Sequence, residues 1–340
     1  MSSPAEARAP GLVSSGVPAN EFDELLGQET PPAPLVRESA GSHPPHEADH
    51  LPHDHVAMPT WDEFVAGWDL GLYQDPILCG VLAGLVLGVL GVFVVLRRAV
   101  FVTAAVSQSA GLGVALAFLL QVRFDVALHP VLGAFALALL ATALLAGRFE
   151  RFRLPKETLL GFTYIGASAA AILVGDRITQ EAHDVSAILF GTAVLVRPVD
   201  LSLVAIVGAL VLLVLGLAYR GLVFAGFDAE GARVQGVPVR FLDLLLWVLV
   251  AAEVSVATRA IGALPVFAFA VLPAMAALSV VERLRSVLVM AAALGALAGG
   301  LGYLFAFFLE FPVGASQACL ATLMFLACLP LSRRSRRERG

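Results

Sequence analysis

Beyond residue 75 the chain is a series of apolar runs separated by short polar connections. A helix needs about 20 apolar residues to cross the hydrocarbon core of a bilayer. The pattern therefore predicts an all-α polytopic membrane protein with about eight or nine transmembrane helices. The predicted spans are residues 76–96, 101–121, 128–147, 157–175, 198–219, 239–257, 261–281, 286–308 and 314–332.

The first 60 residues follow a different pattern, because they are rich in proline and acidic residues and poor in apolar ones. Such a segment buries too little apolar surface to offset the entropy of ordering, so residues 1–60 are predicted to be disordered. Residues 61–75 mix aromatic and acidic residues, which is typical of a membrane–water interface. The predicted transmembrane domain covers 76–332, and a basic tail, 333–340, follows it.

Arginine and lysine lie mainly on alternate connections and in the C-terminal tail. Because basic connections stay on the cytoplasmic side, the C-terminus is predicted to be cytoplasmic. Nine spans place the N-terminal tail outside, whereas eight would place it inside. Orientation alone accounts for these basic residues, so the predicted contact is membrane lipid and no nucleic acid.

The connection after the fifth predicted span contains a short capped helix. Asp228 is a suitable N-cap, Gly236 a suitable left-handed stop, and Pro238 follows it. A capped helix in a cytoplasmic loop of a membrane protein suits the docking of a partner, with Ala232 on its surface.

Several stretches in this order resemble one family, the membrane permease subunits of bacterial ABC importers for zinc, manganese or iron. They are Gly84–Arg98, Glu157–Gly161, Leu189–Gly191, Asp228–Pro238, Ile261–Gly262, Leu272–Ala276 and Phe311–Gly314. Each is weak alone, since small residues are common in packed membrane helices. Their order and spacing are specific, and the resemblance covers about residues 75–332.

The resemblance implies a homodimeric bundle like that of type II ABC importers, in a bacterial inner membrane. It also implies a cytoplasmic ATPase subunit docked on the helix of Asp228, Ala232 and Gly236, and an extracytoplasmic metal-binding protein. The chain has no G-x-x-x-x-G-K-[ST] phosphate loop, so ATP hydrolysis is expected in a separate subunit and the chain is not expected to be an enzyme. No permanently bound cofactor is expected, and the cargo is a divalent metal, zinc or manganese.

The sequence departs from the family at the second span. There the family carries an Asp and a His four residues apart, on one helix face. The matching positions here are Ala104 and Gln108. Alanine cannot coordinate a metal, and a glutamine amide oxygen is poorly suited to zinc. The site has moved, or the ion passes without intramembrane coordination, or this chain no longer transports a divalent metal.

The candidate pathway residues are Ser107, Gln108 and Glu253. The first two are polar on the helix where the family has its pathway, although they could instead hydrogen-bond between packed helices. Glu253 is the one acid deep within a predicted span, which makes it a functional candidate by default. It is the best relocated ligand, with a hydrogen-bonded or protonated structural group as the alternative.

Histidines suggest further metal contacts outside the spans. The tail holds a cluster with acidic residues among its members, which predicts metal capture or sensing, against a solvated tail without a ligand. In a long outer loop, an adjacent histidine and aspartate suggest a contact at the pore mouth. The residues are His43, His46, His50, His53, His55, His183 and Asp184.

The sequence therefore predicts the permease subunit of an ATP-driven divalent metal importer. One alternative is a permease-like membrane sensor or scaffold that lost its intramembrane ligands. An importer of a non-metal substrate and a secondary transporter are further alternatives.

Overall fold

The computed structural model describes residues 59–125, 128–146, 155–178 and 196–337. The predicted disordered tail, the predicted outer-loop contact and the last residues of the basic tail lie outside these ranges. Every regular element within them is a helix. The helices are α1 (Trp61–Asp69), α2 (Gln74–Leu96), α3 (Val100–Phe124), α4 (Pro130–Ala146), α5 (Lys156–Asp176), α6 (Pro198–Phe227), α7 (Ala229–Val234), α8 (Val239–Ile261), α9 (Ala263–Val280), α10 (Leu284–Leu309) and α11 (Val313–Arg337).

Helices α2–α6 and α8–α11 coincide with the nine predicted spans, and the all-α membrane fold is confirmed. Among the described residues, eight of these helices are long and apolar enough to cross a membrane. The ninth, α4, offers the shorter apolar run Pro130–Leu145. At 1.5 Å per residue its 17 residues extend about 26 Å, slightly less than a typical hydrocarbon core.

Helix α2 lies at the centre of the bundle and packs against α10, α9 and α6. Small residues permit this, since α2 places Gly80, Gly84 and Gly88 opposite α10. A Cβ atom at Gly84 would collide with the carbonyl oxygen of Gly295, and one at Gly299 with the carbonyl oxygen of Gly80. In lipid, helices associate largely through such close backbone contact, so these glycines fix the α2–α10 crossing.

Helix α8 forms a second centre and packs against α6, α4 and α3. It ends at Ile261, and a single residue, Gly262, separates it from α9. Gly262 has φ +95°, a backbone conformation that residues with a Cβ atom rarely adopt. The glycine therefore lets two spans follow one another without a loop.

Candidate functional site

The polar residues predicted on the pathway lie in the first half of α3. Ser107 is buried, and its hydroxyl donates to the carbonyl of Ala104 at 2.9 Å. The Ser109 hydroxyl donates in the same way to Ala105 at 2.8 Å. Both hydroxyl donors are thus used within their own helix rather than between helices. Gln108 is half-buried, so its amide is the more accessible of the predicted polar groups on α3.

Glu253 lies in the interior of the bundle, at 0% exposure. Its carboxylate faces Gly208 of α6, where an added Cβ atom would lie 3.7 and 3.8 Å from the two carboxylate oxygens. The same Cβ atom would lie 2.9 Å from Val86 Cγ2, so α2 closes the space from the other side. Among the described residues neither carboxylate oxygen has a hydrogen-bond partner. An ionised carboxylate in this position costs several kcal/mol, which binding of a cation would offset.

Two other charged residues of α8 form ion pairs. Near its start, Asp243 pairs with Arg97, which follows α2. Near its end, Arg259 lies 3.8 Å from Asp200 of α6, and both side chains are almost fully buried. The Arg259 guanidinium also lies 5.3 Å from the centre of the Phe118 ring on α3. These contacts fix both ends of α8 to its neighbours.

The pair of Asp200 and Arg259 was not predicted from the sequence. A signal was present, because each is a charged residue within or beside a predicted apolar span. The pairing itself depends on how α6 and α8 pack, which the sequence pattern does not show.

The described residues contain no group of three or more His, Cys, Asp or Glu side chains that could hold a metal ion. Helices α3 and α8 pack against each other, but Glu253 is enclosed whereas Gln108 is half-buried. Ligands for a complete coordination shell must therefore come in part from water or from outside these residues. The histidine candidates lie outside the described residues, namely His43, His46, His50, His53, His55 and His183, together with Asp184.

The predicted capped helix is present as α7. Asp228 is its N-cap and accepts a hydrogen bond from the backbone of Gly231 at 2.8 Å. The helix stops at Gly236, which has φ +79°, and Val237 donates to the carbonyl of Ala232 at 2.9 Å. Both ends are thus stabilised locally, so this six-residue helix has a defined shape.

The faces of α7 differ from what the capping pattern alone suggested. Ala232 is fully buried and holds α7 to its own chain. The exposed residues are Glu230, Arg233 and Val234, and Val234 is 89% exposed. A partner that docks on α7 would therefore contact these side chains, while Ala232 supports the helix from beneath.

Comparison with known proteins gives one family for this architecture. The sequence pattern of the ABC 3 transport family matches residues 70–332. The chain is 27% identical over 275 residues to the manganese import system permease protein ScaB of Streptococcus gordonii, covering 81% of this chain and 96% of that protein. It is 26% identical over 255 residues to the manganese transport system membrane protein MntC of Listeria innocua, covering 75% and 89%.

A solved structure shares the fold. The structure of PsaBC from Streptococcus pneumoniae in complex with Fab aligns with a TM-score of 0.73 and 26% identity. The alignment covers 82% of this chain and 100% of that one. Helix α1, and the segment before it, lie outside the range that the family pattern matches.

Proposed function

The chain belongs to the ABC 3 transport family, and from this membership we propose that it is the permease subunit of an ATP-driven importer of divalent metal ions. The observation that carries the proposal is the match to manganese import permeases over nearly the whole membrane body. The chain acts with a separate ATPase rather than as an enzyme. It lies in a bacterial plasma membrane with its C-terminus in the cytoplasm, as the basic connections favour.

The proposed cargo is manganese in preference to zinc. The polar groups offered by the candidate pathway, Ser107, Gln108 and Glu253, are all oxygen donors. Carboxylate, carbonyl and water oxygens suit manganese, whereas zinc favours imidazole and thiolate as well.

The proposed partners are an ATPase, an extracytoplasmic binding protein and a second copy of the chain. The ATPase docks on the exposed face of α7, and its closure on ATP drives alternating access between the two sides. Val234→Glu places a charge on this face, so we expect the variant to insert normally but to lose co-purification with the ATPase. Gln235→Glu, on the neighbouring position, provides a control of equal charge. If the wild type, Val234→Glu and Gln235→Glu proteins recover equal amounts of the ATPase, α7 is not its docking site.

The histidine cluster of the N-terminal segment is proposed to collect metal ions before transport. Imidazole ligates metal only when neutral, so affinity falls as the pH drops through about 6.5. Titration of a peptide covering residues 41–56 by calorimetry should show metal binding at pH 7.5 and much weaker binding at pH 5.5. No heat at the higher pH removes this role, and equal binding at both values assigns it to the carboxylates.

The experiment that tests the main proposal is metal accumulation. The chain is expressed together with the ATPase and the binding protein encoded beside it in the genome, in cells that lack other manganese uptake systems. We expect manganese accumulation above the level of cells with an ATPase that cannot hydrolyse ATP. Absence of any manganese, zinc or iron accumulation favours the second candidate, a membrane sensor or scaffold, which the replacement of the Asp/His pair by Ala104 and Gln108 supports.

A further inference from the structure

Helix α1 has three sides of different chemistry. Phe64 and Gly67 are buried. Trp61, Val65 and Trp68 are 62%, 42% and 38% exposed and lie at i, i+4 and i+7, which places them on one stripe. Of the acidic residues, Asp62 and Asp69 flank this stripe next to Val65, and Glu63 lies on the far side of the helix. An exposed apolar stripe of this kind is unusual for a surface surrounded by water.

The buried side fastens α1 to the bundle. The Phe64 ring contacts Phe307 edge to face, with 5.3 Å between ring centres, and stacks on Tyr73 at 5.7 Å. Trp61 stacks on Phe308 with 5.8 Å between centres and 9° between planes. Thr60 and Glu63 form a capping box that closes the start of the helix. α1 therefore has a defined position against α10.

That position corresponds to the edge of the membrane. Phe307 and Phe308 belong to the last turn of α10, and Tyr73 comes directly before the start of α2. Both spans leave the hydrocarbon core at this level, where aromatic side chains are favoured. Along the chain from α1 into α2, Leu70, Leu72 and Leu78 are also exposed apolar residues.

We propose that α1 is an in-plane membrane anchor, whose stripe of Trp61, Val65 and Trp68 inserts into the lipid interface of the leaflet at which α2 begins. Lipid is the occupant that the depth and the continuity with the span surface favour. The chain has no lysine or arginine between Arg37 and Arg97, so apolar area rather than attraction to anionic headgroups drives the insertion. α1 lies just before residue 70, where the match to the family pattern begins.

The tryptophans allow a direct test. The chain has three, Trp61, Trp68 and Trp247, so Trp247→Phe leaves both remaining indoles in α1. The full-length variant is placed in phosphatidylcholine nanodiscs with a quencher attached near the headgroup or near the acyl chain end. We expect the shallow label to quench about twofold more than the deep one, at low and high salt, since an interfacial helix lies about 5–10 Å below the surface.

Two further variants separate the stripe from the acidic side. In the same background, Val65→Glu should lower shallow quenching about twofold and raise quenching by aqueous acrylamide, because it places a charge in the stripe. Ala66→Glu, on the acidic side, should change neither. Strong acrylamide quenching without lipid quenching in the parent overturns the proposal, because α1 then lies in water. Protection from both quenchers also overturns it, because a protein then covers the stripe.

Discussion

Helix α8 has an ion pair near each end and, between the two pairs, an acidic residue without a hydrogen-bond partner among the described residues. Asp243 pairs with Arg97, and Arg259 pairs with Asp200. Glu253 is more deeply buried than any of these, yet both its oxygens lack a hydrogen-bond partner among the described residues. The same helix thus contains two ion pairs that stabilise its packing and one carboxylate that its surroundings do not stabilise.

This difference indicates separate roles. Replacing a buried ion pair by apolar residues is often neutral, but a single buried charge without a partner is costly. An apolar side chain at position 253 would pack against Gly208 and Val86 without that cost. Glu253 therefore fits a group that meets a cation during transport, and the pairs at the ends fit groups that hold α8 in place meanwhile.

The largest expected effect is that of Glu253→Gln. The variant keeps the shape of the side chain but removes the only carboxylate at the centre of α8. We expect manganese accumulation to fall to the background level, because no charge remains there to offset a divalent cation. The melting temperature in detergent should stay equal or rise, because the amide is cheaper to bury than the charge.

A transport-competent Glu253→Gln protein contradicts this role. Passage of the ion without intramembrane coordination is then the better explanation. A fall in melting temperature together with lost transport indicates instead that Glu253 has a structural role.

Variants of the ion pairs at the ends of α8 should lose stability rather than transport. Asp200→Asn leaves the buried guanidinium of Arg259 facing a neutral amide. Because the contact with the Phe118 ring remains, we expect the free energy of unfolding to fall by about 3 kcal/mol. We expect a lower melting temperature and near-normal transport per folded molecule. Asp243→Asn is the matched control, because Asp243 is 45% exposed and such pairs contribute about 0–1 kcal/mol. If Asp200→Asn loses transport at unchanged stability, the pair of Asp200 and Arg259 is part of the transport pathway.

The spans were predictable because each is a continuous apolar run with a polar boundary. The main deviation is α6, which continues to Phe227, beyond the predicted end at residue 219. The hydropathy pattern marks where a segment leaves the bilayer, whereas helical hydrogen bonds continue past Arg220 into the connection. Glu253 was predictable for the same reason, as an acid within an apolar run.

The contacts between helices were not predictable in this way. The capping pattern around Asp228 predicted α7 but not which of its sides faces the bundle, so the burial of Ala232 was missed. The pairing of Asp200 with Arg259 likewise depends on the packing of α6 on α8. A single sequence contains no direct signal for such contacts.

A third prediction concerns the space beside Glu253. Gly208→Ala adds a methyl group 2.9 Å from Val86 Cγ2 and within 4 Å of the carboxylate. We expect a stability loss of about 1–3 kcal/mol from overpacking and transport reduced several-fold, because Glu253 loses the room to bind an ion. Gly216→Ala on the same helix is the control, because an added Cβ atom there meets nothing within 4 Å. Equal transport by both variants contradicts a role for this space.

The smallest expected effect is a change in selectivity when the family ligands are restored on α3. Ala104→Asp with Gln108→His places a carboxylate and an imidazole one helical turn apart, and imidazole favours zinc over oxygen-only sites. We expect the ratio of zinc to manganese accumulation to rise a few-fold, with manganese transport retained. Ala104→Asn with Gln108→His is the control that lacks the new charge. If the wild-type chain moves no divalent metal while the Asp/His variant does, the chain has lost transport together with its ligands.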